Sequence, residues 1–174
     1  MKTVDYDLIY FLTGESLTLS CNYKVSFWNG PAVTDMDNMT SPVTITDTSG
    51  NLKVLNVSIY MHGGTLASTL PKKRFNRLKI VGDNFDLRIT NLSTFDEGLY
   101  ICEPKEKRGL PPSQYYLQNI LFPSELNILN VTQVNTVNGR EHTQMHLVCS
   151  VKSGKPLEEL RWKKNRTIIR HGGP

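Results

Sequence analysis

Four histidines are the residues of this sequence best suited to metal binding or proton transfer. His142 and His146 are four residues apart, which is the spacing of the two zinc ligands on a metalloprotease helix. No glutamate lies between them and no helix is predicted there, so we do not expect this chemistry. On a strand the two side chains would share a face, and we interpret them as solvated surface residues. His62 and His171 are scattered, and no nucleophile–base pair is recognisable.

Acidic and glycine residues give no stronger site. Asp35, Asp37 and Asp47 are irregularly spaced and are not followed by the glutamate that completes a calcium loop. The pairs Gly63-Gly64 and Gly172-Gly173 lack the strand-to-helix context that a phosphate-binding loop requires. We therefore predict no catalytic residue, no metal site and no cofactor, and we do not expect an enzyme.

The three cysteines are the remaining reactive residues, and their odd number leaves at least one without a partner in the chain. Cys21 ends the segment Leu17–Cys21, whose apolar and hydroxyl side chains alternate as in a half-buried strand. Cys102 follows Tyr100 by two residues, so on a strand both side chains point to one face. Cys149 lies in another alternating segment, Met145–Val151.

The segment from Asp96 to Cys102 carries the most specific motif of the chain. It reads Asp-x-Gly-x-Tyr-x-Cys, with Gly98 giving a tight entry to the strand. The motif resembles strand F of the immunoglobulin superfamily, in which the tyrosine hydroxyl bonds back to the backbone at the E–F corner. The resemblance implies an all-β, immunoglobulin-like β-sandwich. A separation of 102 − 21 = 81 residues leaves room for the C′ and C″ strands of a variable-type domain.

This resemblance also implies two structural pairings. Cys21 and Cys102 would form the disulfide between the two sheets, leaving Cys149 unpaired; buried free thiols in a cytosolic protein are the disfavoured alternative. Asp96 would pair with an arginine that opens strand D, for which Arg77 is the first candidate and Arg74 the second.

The core tryptophan of strand C has two possible registers. Trp28 resembles the residue that packs on the disulfide in this family, although only seven residues separate it from Cys21. Val25 and Phe27 alternate as a better apolar pair than Ser26 and Trp28, which would put Phe27 inside and Trp28 on the sheet face. We favour Trp28 as the core residue.

Pro123-Ser124 marks a predicted boundary between two domains. Residues 1–122 are predicted to form a variable-like immunoglobulin domain. Residues 123–174 are predicted to form part of a second one, with strands A to C or C′ only. Cys149 and Trp162 have the thirteen-residue spacing usual in the family, but no Tyr-x-Cys motif follows. The other predicted strands are Leu8–Leu12, Lys53–Tyr60, Arg77–Asp83, Phe85–Leu92 and Tyr115–Phe122.

Composition and sequons favour an extracellular protein. The chain has 174 residues and a net charge of +4, too weakly basic for a nucleic-acid-binding signature. No segment is apolar enough to span a membrane, and the N-terminus does not read as a signal peptide. We therefore expect a fragment of a larger cell-surface protein, with its signal peptide and membrane anchor missing. N-glycosylation is predicted at five sequons: Asn38, Asn56, Asn91, Asn130 and Asn165.

The resemblance implies a non-catalytic adhesion molecule or receptor that recognises a protein, either homophilically or heterophilically. With Tyr100 and Cys102 inward, strand F would turn its alternate residues out of the sandwich. The predicted binding surface is therefore the C–C′–F–G sheet face and its F–G hairpin, formed by Leu99, Ile101, Glu103, Lys105, Arg108, and Tyr115 or Tyr116. The alternatives are a secreted protein that binds microbial or glycan ligands, and the ectodomain of a receptor enzyme.

Overall fold

The computed structural model describes residues 6–33, 40–105, 109–129 and 139–172. The chain divides into two compact units, Met1–Asn119 and Ile120–Pro174, where the sequence predicted a boundary after Phe122. Ten strands of the first unit are β1 Asp7–Phe11, β2 Leu17–Leu19, β3 Val25–Pro31, β4 Thr40–Thr46, β5 Leu52–His62, β6 Thr65–Leu66, β7 Leu78–Val81, β8 Asp86–Ile89, β9 Gly98–Pro104 and β10 Ser113–Asn119. The short helix α1 covers Lys72–Phe75, and a 3-10 turn covers Thr94–Asp96.

Two sheets form the first unit. The larger has the strand order β1-β10-β9-β3-β5-β4, with β6 paired to β5, and the smaller has the order β2-β8-β7. The pairing of β1 with β10 is parallel, whereas the other pairings of both sheets are antiparallel. Strands β2, β8 and β7 correspond to strands B, E and D, while β3, β9 and β10 correspond to C, F and G. The predicted all-β immunoglobulin-like sandwich is confirmed.

The core lies between the two sheets and contains the predicted disulfide, Cys21–Cys102. Trp28 is fully buried there, and its indole N–H donates to the carbonyl of Phe85 at 2.7 Å. Tyr60 and Tyr100 meet edge to face with ring centroids 5.8 Å apart. Further buried members are Phe11, Leu19, Val25, Met61, Leu70, Leu78, Leu87, Ile89, Leu92 and Leu117.

A β-bulge decides the register of strand C. The pairing between β3 and β9 shifts between Val25 and Phe27, so the regular alternation is interrupted by one residue. Val25 and Trp28 are consequently both buried, although their positions differ by three, an odd number. Phe27 lies outside the main core cluster and stacks on His62 with ring centroids 4.5 Å apart. The sequence offered two conflicting registers because each assumed unbroken alternation, and the bulge breaks that alternation between Val25 and Trp28.

Strands β4 and β5 form a long ribbon, of which the sequence predicted only the strand Lys53–Tyr60. Thr40–Thr46 pairs with the first half of β5, whereas the second half of β5 pairs with β3. The turn between them is organised by Asp47, whose carboxylate accepts the backbone N–H groups of Ser49 and Asn51. The hydrogen bond from Asn51 lowers the pKa of Asp47. Because β3 ends at Pro31, the ribbon extends beyond its neighbour and is free to curve.

The described residues of the second unit, 120–129 and 139–172, form four strands in two pairs. They are β11 Ser124–Ile128 with β12 Cys149–Lys152, and β13 Leu160–Lys164 with β14 Thr167–Gly172. The strand predicted over Met145–Val151 begins only at Cys149, and Met145 and Leu147 are exposed. They do not show the inward-facing burial that strict alternation predicts.

Candidate recognition face

Strand β9 separates the interior of the sandwich from the candidate recognition face. Tyr100 and Cys102 point into the main core, as the motif predicts. Leu99 and Ile101 belong to a different apolar cluster on the opposite face of the sheet, and Glu103 is exposed. Successive side chains of β9 therefore alternate between the two faces of the sheet, as the two-residue period of a strand requires.

The corner that precedes β9 holds the strand in place. The hydroxyl of Tyr100 donates to the backbone carbonyl of Asp96 at 3.0 Å, which is the bond expected of a tyrosine corner. Burial raises the pKa of Tyr100. The carboxylate of Asp96 is almost completely buried, accepts the N–H and hydroxyl of Ser93, and forms a two-point ion pair with Arg77. The clamp is structural and lies away from the candidate face.

Arg74 has a separate structural role that the sequence did not indicate. Its guanidinium is buried and donates to the hydroxyl of Tyr60 and to the carbonyls of Pro31 and Phe95. It also lies 5.5 Å from the centre of the Tyr60 ring, within the range of a cation–π contact. Arg74 therefore ties helix α1 to β3 and β5, while Arg77 pairs with Asp96.

The expectation that Leu99 and Ile101 are exposed is wrong. Leu99 is 1% exposed and Ile101 is 6% exposed. Both pack in one cluster with four apolar residues of the β4–β5 ribbon: Val43, Ile45, Leu55 and Val57. The ribbon therefore curves over this part of the sheet and covers it. Alternation along β9 shows that these side chains leave the sandwich, but it does not show which other strand covers them.

The two tyrosines of β10 have different positions. Tyr115 is paired with the inward-pointing Tyr100, packs against the main core, and donates its hydroxyl to the carbonyl of Ser20 at 2.6 Å. Tyr116 is paired with Leu99 and packs against the covered cluster. Tyr115 is therefore removed from the predicted binding face, and Tyr116 forms part of its covered half. Burial raises the pKa of Tyr115.

The other half of the sheet face remains open. Phe27 is paired with both His62 and Glu103, and the amide of Asn29 donates to the carboxylate of Glu103 at 3.3 Å. Ile59 is paired with Asn29 and is 39% exposed, although it is an isoleucine in the middle of a sheet. We call Phe27, Asn29, Ile59, His62 and Glu103 the open face. Of these residues, only Glu103 was predicted from the sequence to take part in binding.

A depression of about 370 Å³ lies where β9 leaves the sheet. Lys105, which the sequence predicted for the rim of the binding face, lines this depression, and its backbone N–H donates to the carbonyl of Lys24. The remaining lining residues are Tyr23, Lys24, Pro104 and Leu110. Arg108, which was also predicted for this surface, lies outside the described residues.

The remaining predicted residues lie at scattered positions. Cys149 is a half-buried free thiol, and Trp162 is half-buried on β13. Asn56, Asn91 and Asn165 are all exposed, whereas Asn38 and Asn130 lie outside the described residues. Within residues 6–33, 40–105, 109–129 and 139–172, no group of three His, Cys, Asp or Glu side chains is arranged to hold a metal ion. No helix in the described part of the chain is long and apolar enough to cross a membrane.

The disulfide, the buried Trp28, the tyrosine corner and the parallel β1–β10 pairing give the first unit the fold of an immunoglobulin-like sandwich of variable type. The chain is similar to immunoglobulin-domain adhesion proteins. Contactin-1 of Bos taurus is 33% identical over 79 residues, which cover 45% of this chain and 7% of contactin-1. Cell adhesion molecule 1 of Homo sapiens is 26% identical over 102 residues, which cover 58% of this chain and 22% of that protein.

The chain therefore spans less than a quarter of either of these two relatives. Among solved structures, the CD2-binding domain of CD58 matches with a TM-score of 0.49 and 16% identity, covering 96% of this chain and 78% of that one. No protein-family model matches the chain.

Proposed function

We propose that the chain is a non-catalytic protein-recognition module of an extracellular, cell-surface protein, and that it binds its partner through the open face. The observation that carries the proposal is the division of the sheet face into two halves. The ribbon buries Leu99 and Ile101, whereas Ile59 and the Phe27–His62 pair stay accessible. A partner can therefore reach one half of the face without unfolding any strand.

The open face has the anatomy of a protein interface. Its centre combines an aliphatic side chain, Ile59, with the nearly parallel stack of Phe27 on His62, whose planes differ by 15°. Glu103 lies beside this centre, and Lys105 follows it along the chain. An aromatic and aliphatic centre surrounded by charged side chains is typical of the few residues that dominate binding energy.

Two of the predicted glycans, at Asn56 and Asn91, point away from the open face or lie on the other sheet. Asn56 alternates with Leu55 and Val57 along β5, so it points away from the cluster that covers the sheet. Asn91 lies just after β8, which belongs to the other sheet. The disulfide and the exposed sequons both suit an oxidising, extracellular location. The named relatives, contactin-1 and cell adhesion molecule 1, support a role in adhesion.

A matched pair of substitutions on β5 tests the proposal. Ile59→Glu introduces a charge on the open face, and Val54→Glu introduces the same charge at an exposed position of the ribbon. Beads coated with the chain report homophilic binding by aggregating. Tetramers of the chain on protease-treated and untreated cells report capture of another protein.

We expect Ile59→Glu to lose at least about tenfold in binding, corresponding to ~1.4 kcal/mol, and Val54→Glu to bind like the parent. Both variants should retain the parent's circular dichroism spectrum. Equal binding by the two variants, or loss only in Val54→Glu, would place the site elsewhere.

A further inference from the structure

The net positive charge of the chain is confined to its second unit. Residues 120–174 contain eight Lys or Arg and four Asp or Glu, a net charge of 8 − 4 = +4. Residues 1–119 contain the remaining 20 − 8 = 12 basic and 16 − 4 = 12 acidic residues, so their net charge is zero. The modest charge of the whole chain therefore conceals one neutral and one basic unit.

Most of this charge lies on the β13–β14 ribbon. Five of the eight basic residues fall between positions 161 and 170 of the sequence. Arg161 pairs with Glu159, but no carboxylate in the described residues forms an ion pair with the other four. These four side chains, which we call the basic ribbon, are all exposed: Lys163, Lys164, Arg166 and Arg170.

The geometry of the ribbon holds the cations close together. Lys164 pairs with Thr167, so Asn165 and Arg166 form a two-residue turn. Both turn residues have positive φ, 47° and 68°, as in the type I′ turn that matches the twist of a hairpin. Arg170 pairs with Trp162, two residues before Lys164, so the backbone positions of Arg170 and Lys164 are offset by about 7 Å along the strand. Like charges at such neighbouring positions repel one another, and an anion bound between them offsets this repulsion.

We propose that the basic ribbon binds a sulfated glycosaminoglycan. A repeating polyanion can neutralise several neighbouring cations at once, and release of its counterions favours binding. The disulfide of the first unit indicates an oxidising compartment, outside the cell rather than beside the anionic cytoplasmic leaflet of a membrane. Nucleic acid is less suited, because single strands bind on exposed aromatic platforms and Trp162, the aromatic residue of this ribbon, is half-buried.

Heparin is the probe for this site, and two variants of equal charge are compared. The first neutralises the basic ribbon with Lys163→Gln, Lys164→Gln, Arg166→Gln and Arg170→Gln. The control neutralises four exposed cations of the first unit with Lys72→Gln, Lys73→Gln, Lys79→Gln and Arg88→Gln. Each variant has a formal net charge of 4 − 4 = 0. All chains carry Thr167→Ala, which removes the sequon at Asn165 while keeping the asparagine in the turn.

The parent and the control should elute from immobilised heparin at similar salt concentrations, and the ribbon variant should elute earlier. If the four cations each release about 0.7 counterions, the parent loses on the order of 50-fold in affinity between about 50 and 200 mM salt. The ribbon variant should lose most of that salt dependence. If its circular dichroism differs from that of the parent, the double variant Lys163→Gln/Arg166→Gln is measured instead, with Lys72→Gln/Lys79→Gln as its control.

Four results would overturn the proposal. They are equal elution of the ribbon variant and its control, equal binding of the parent to fully desulfated heparin, stronger binding to phosphatidylserine vesicles than to heparin, and stronger binding to single-stranded DNA than to heparin.

Discussion

Replacing Leu99 with alanine tests whether the β4–β5 ribbon covers the sheet face. Leu99 is 1% exposed and packs with Ile45 and Val57 of the ribbon and with its neighbour Ile101. Truncating a buried leucine to alanine costs about 2–5 kcal/mol, because transfer energy is lost and a cavity remains. We expect about 3 kcal/mol, since the surrounding cluster is small and can partly close. With a urea m value of roughly 1–3 kcal/mol/M, the unfolding midpoint should fall by about 1–3 M.

Urea unfolding is best followed by tryptophan fluorescence in a Trp162→Phe background, in which the signal comes from the buried Trp28. Val54→Ala is the matched control, because Val54 is 64% exposed on the same ribbon and should change stability by no more than about 0.5 kcal/mol. Combining Leu99→Ala with Ile45→Ala should reveal a coupling energy of about 0.5–3 kcal/mol. The ribbon would not cover the face if Leu99→Ala lost as little stability as Val54→Ala and if the effects of Leu99→Ala and Ile45→Ala were additive.

Three further predictions concern the frame around this face. Tyr100→Phe should cost about 1 kcal/mol at neutral pH through the lost bond to Asp96. Burial raises the pKa of Tyr100, so its contribution to the free energy of unfolding is fully present below about pH 10 and decreases as the pH rises further. In urea titrations at a series of pH values, Tyr100→Phe should lose less stability at high pH than the parent does. Arg77→Ala should cost about 3–5 kcal/mol of stability, because the Asp96 carboxylate stays buried without its cation. Lys79→Ala, at an exposed position, is the control and should leave stability unchanged. A small effect of Arg77→Ala on thermal unfolding would contradict the role of this ion pair. Reducing the Cys21–Cys102 disulfide, which spans 81 residues, should cost about 4 kcal/mol of stability and lower the melting temperature. Peptide mapping that links Cys149 to either cysteine would refute the assignment of this disulfide.

The sequence was most informative where several residue types share one geometric task. The Asp-x-Gly-x-Tyr-x-Cys motif combines a buried acid, a tight strand entry, a corner hydroxyl and a disulfide. Gly98 has a φ of +141°, and a Cβ there would lie 2.6 Å from Pro31, so the motif glycine is needed for both backbone and space. Such local requirements are visible in a single sequence because each residue type is chosen for a particular geometry.

Contacts between distant segments were less predictable. Val43 and Ile45 alternate with threonines, a pattern that favours a strand, but no strand was predicted over them. Their partners Leu99 and Ile101 lie more than fifty residues later, and strand periodicity indicates only the face of each side chain. The covered half of the face was therefore predicted to be the binding surface. Ile59, on the open half, was predicted only as a member of the strand Lys53–Tyr60.

Nuclear Overhauser contacts between methyl groups test most directly whether the ribbon covers one half of the sheet face and leaves the other half open. We expect contacts from the methyl groups of Val43 or Ile45 to those of Leu99 or Ile101. The methyl groups of Leu99 and Ile101 should also be protected from a soluble paramagnetic probe. The methyl groups of Ile59 should be strongly affected by the same probe. Absence of the ribbon contacts, with Leu99 and Ile101 affected by the probe as strongly as Ile59, would show that the ribbon does not cover the sheet face.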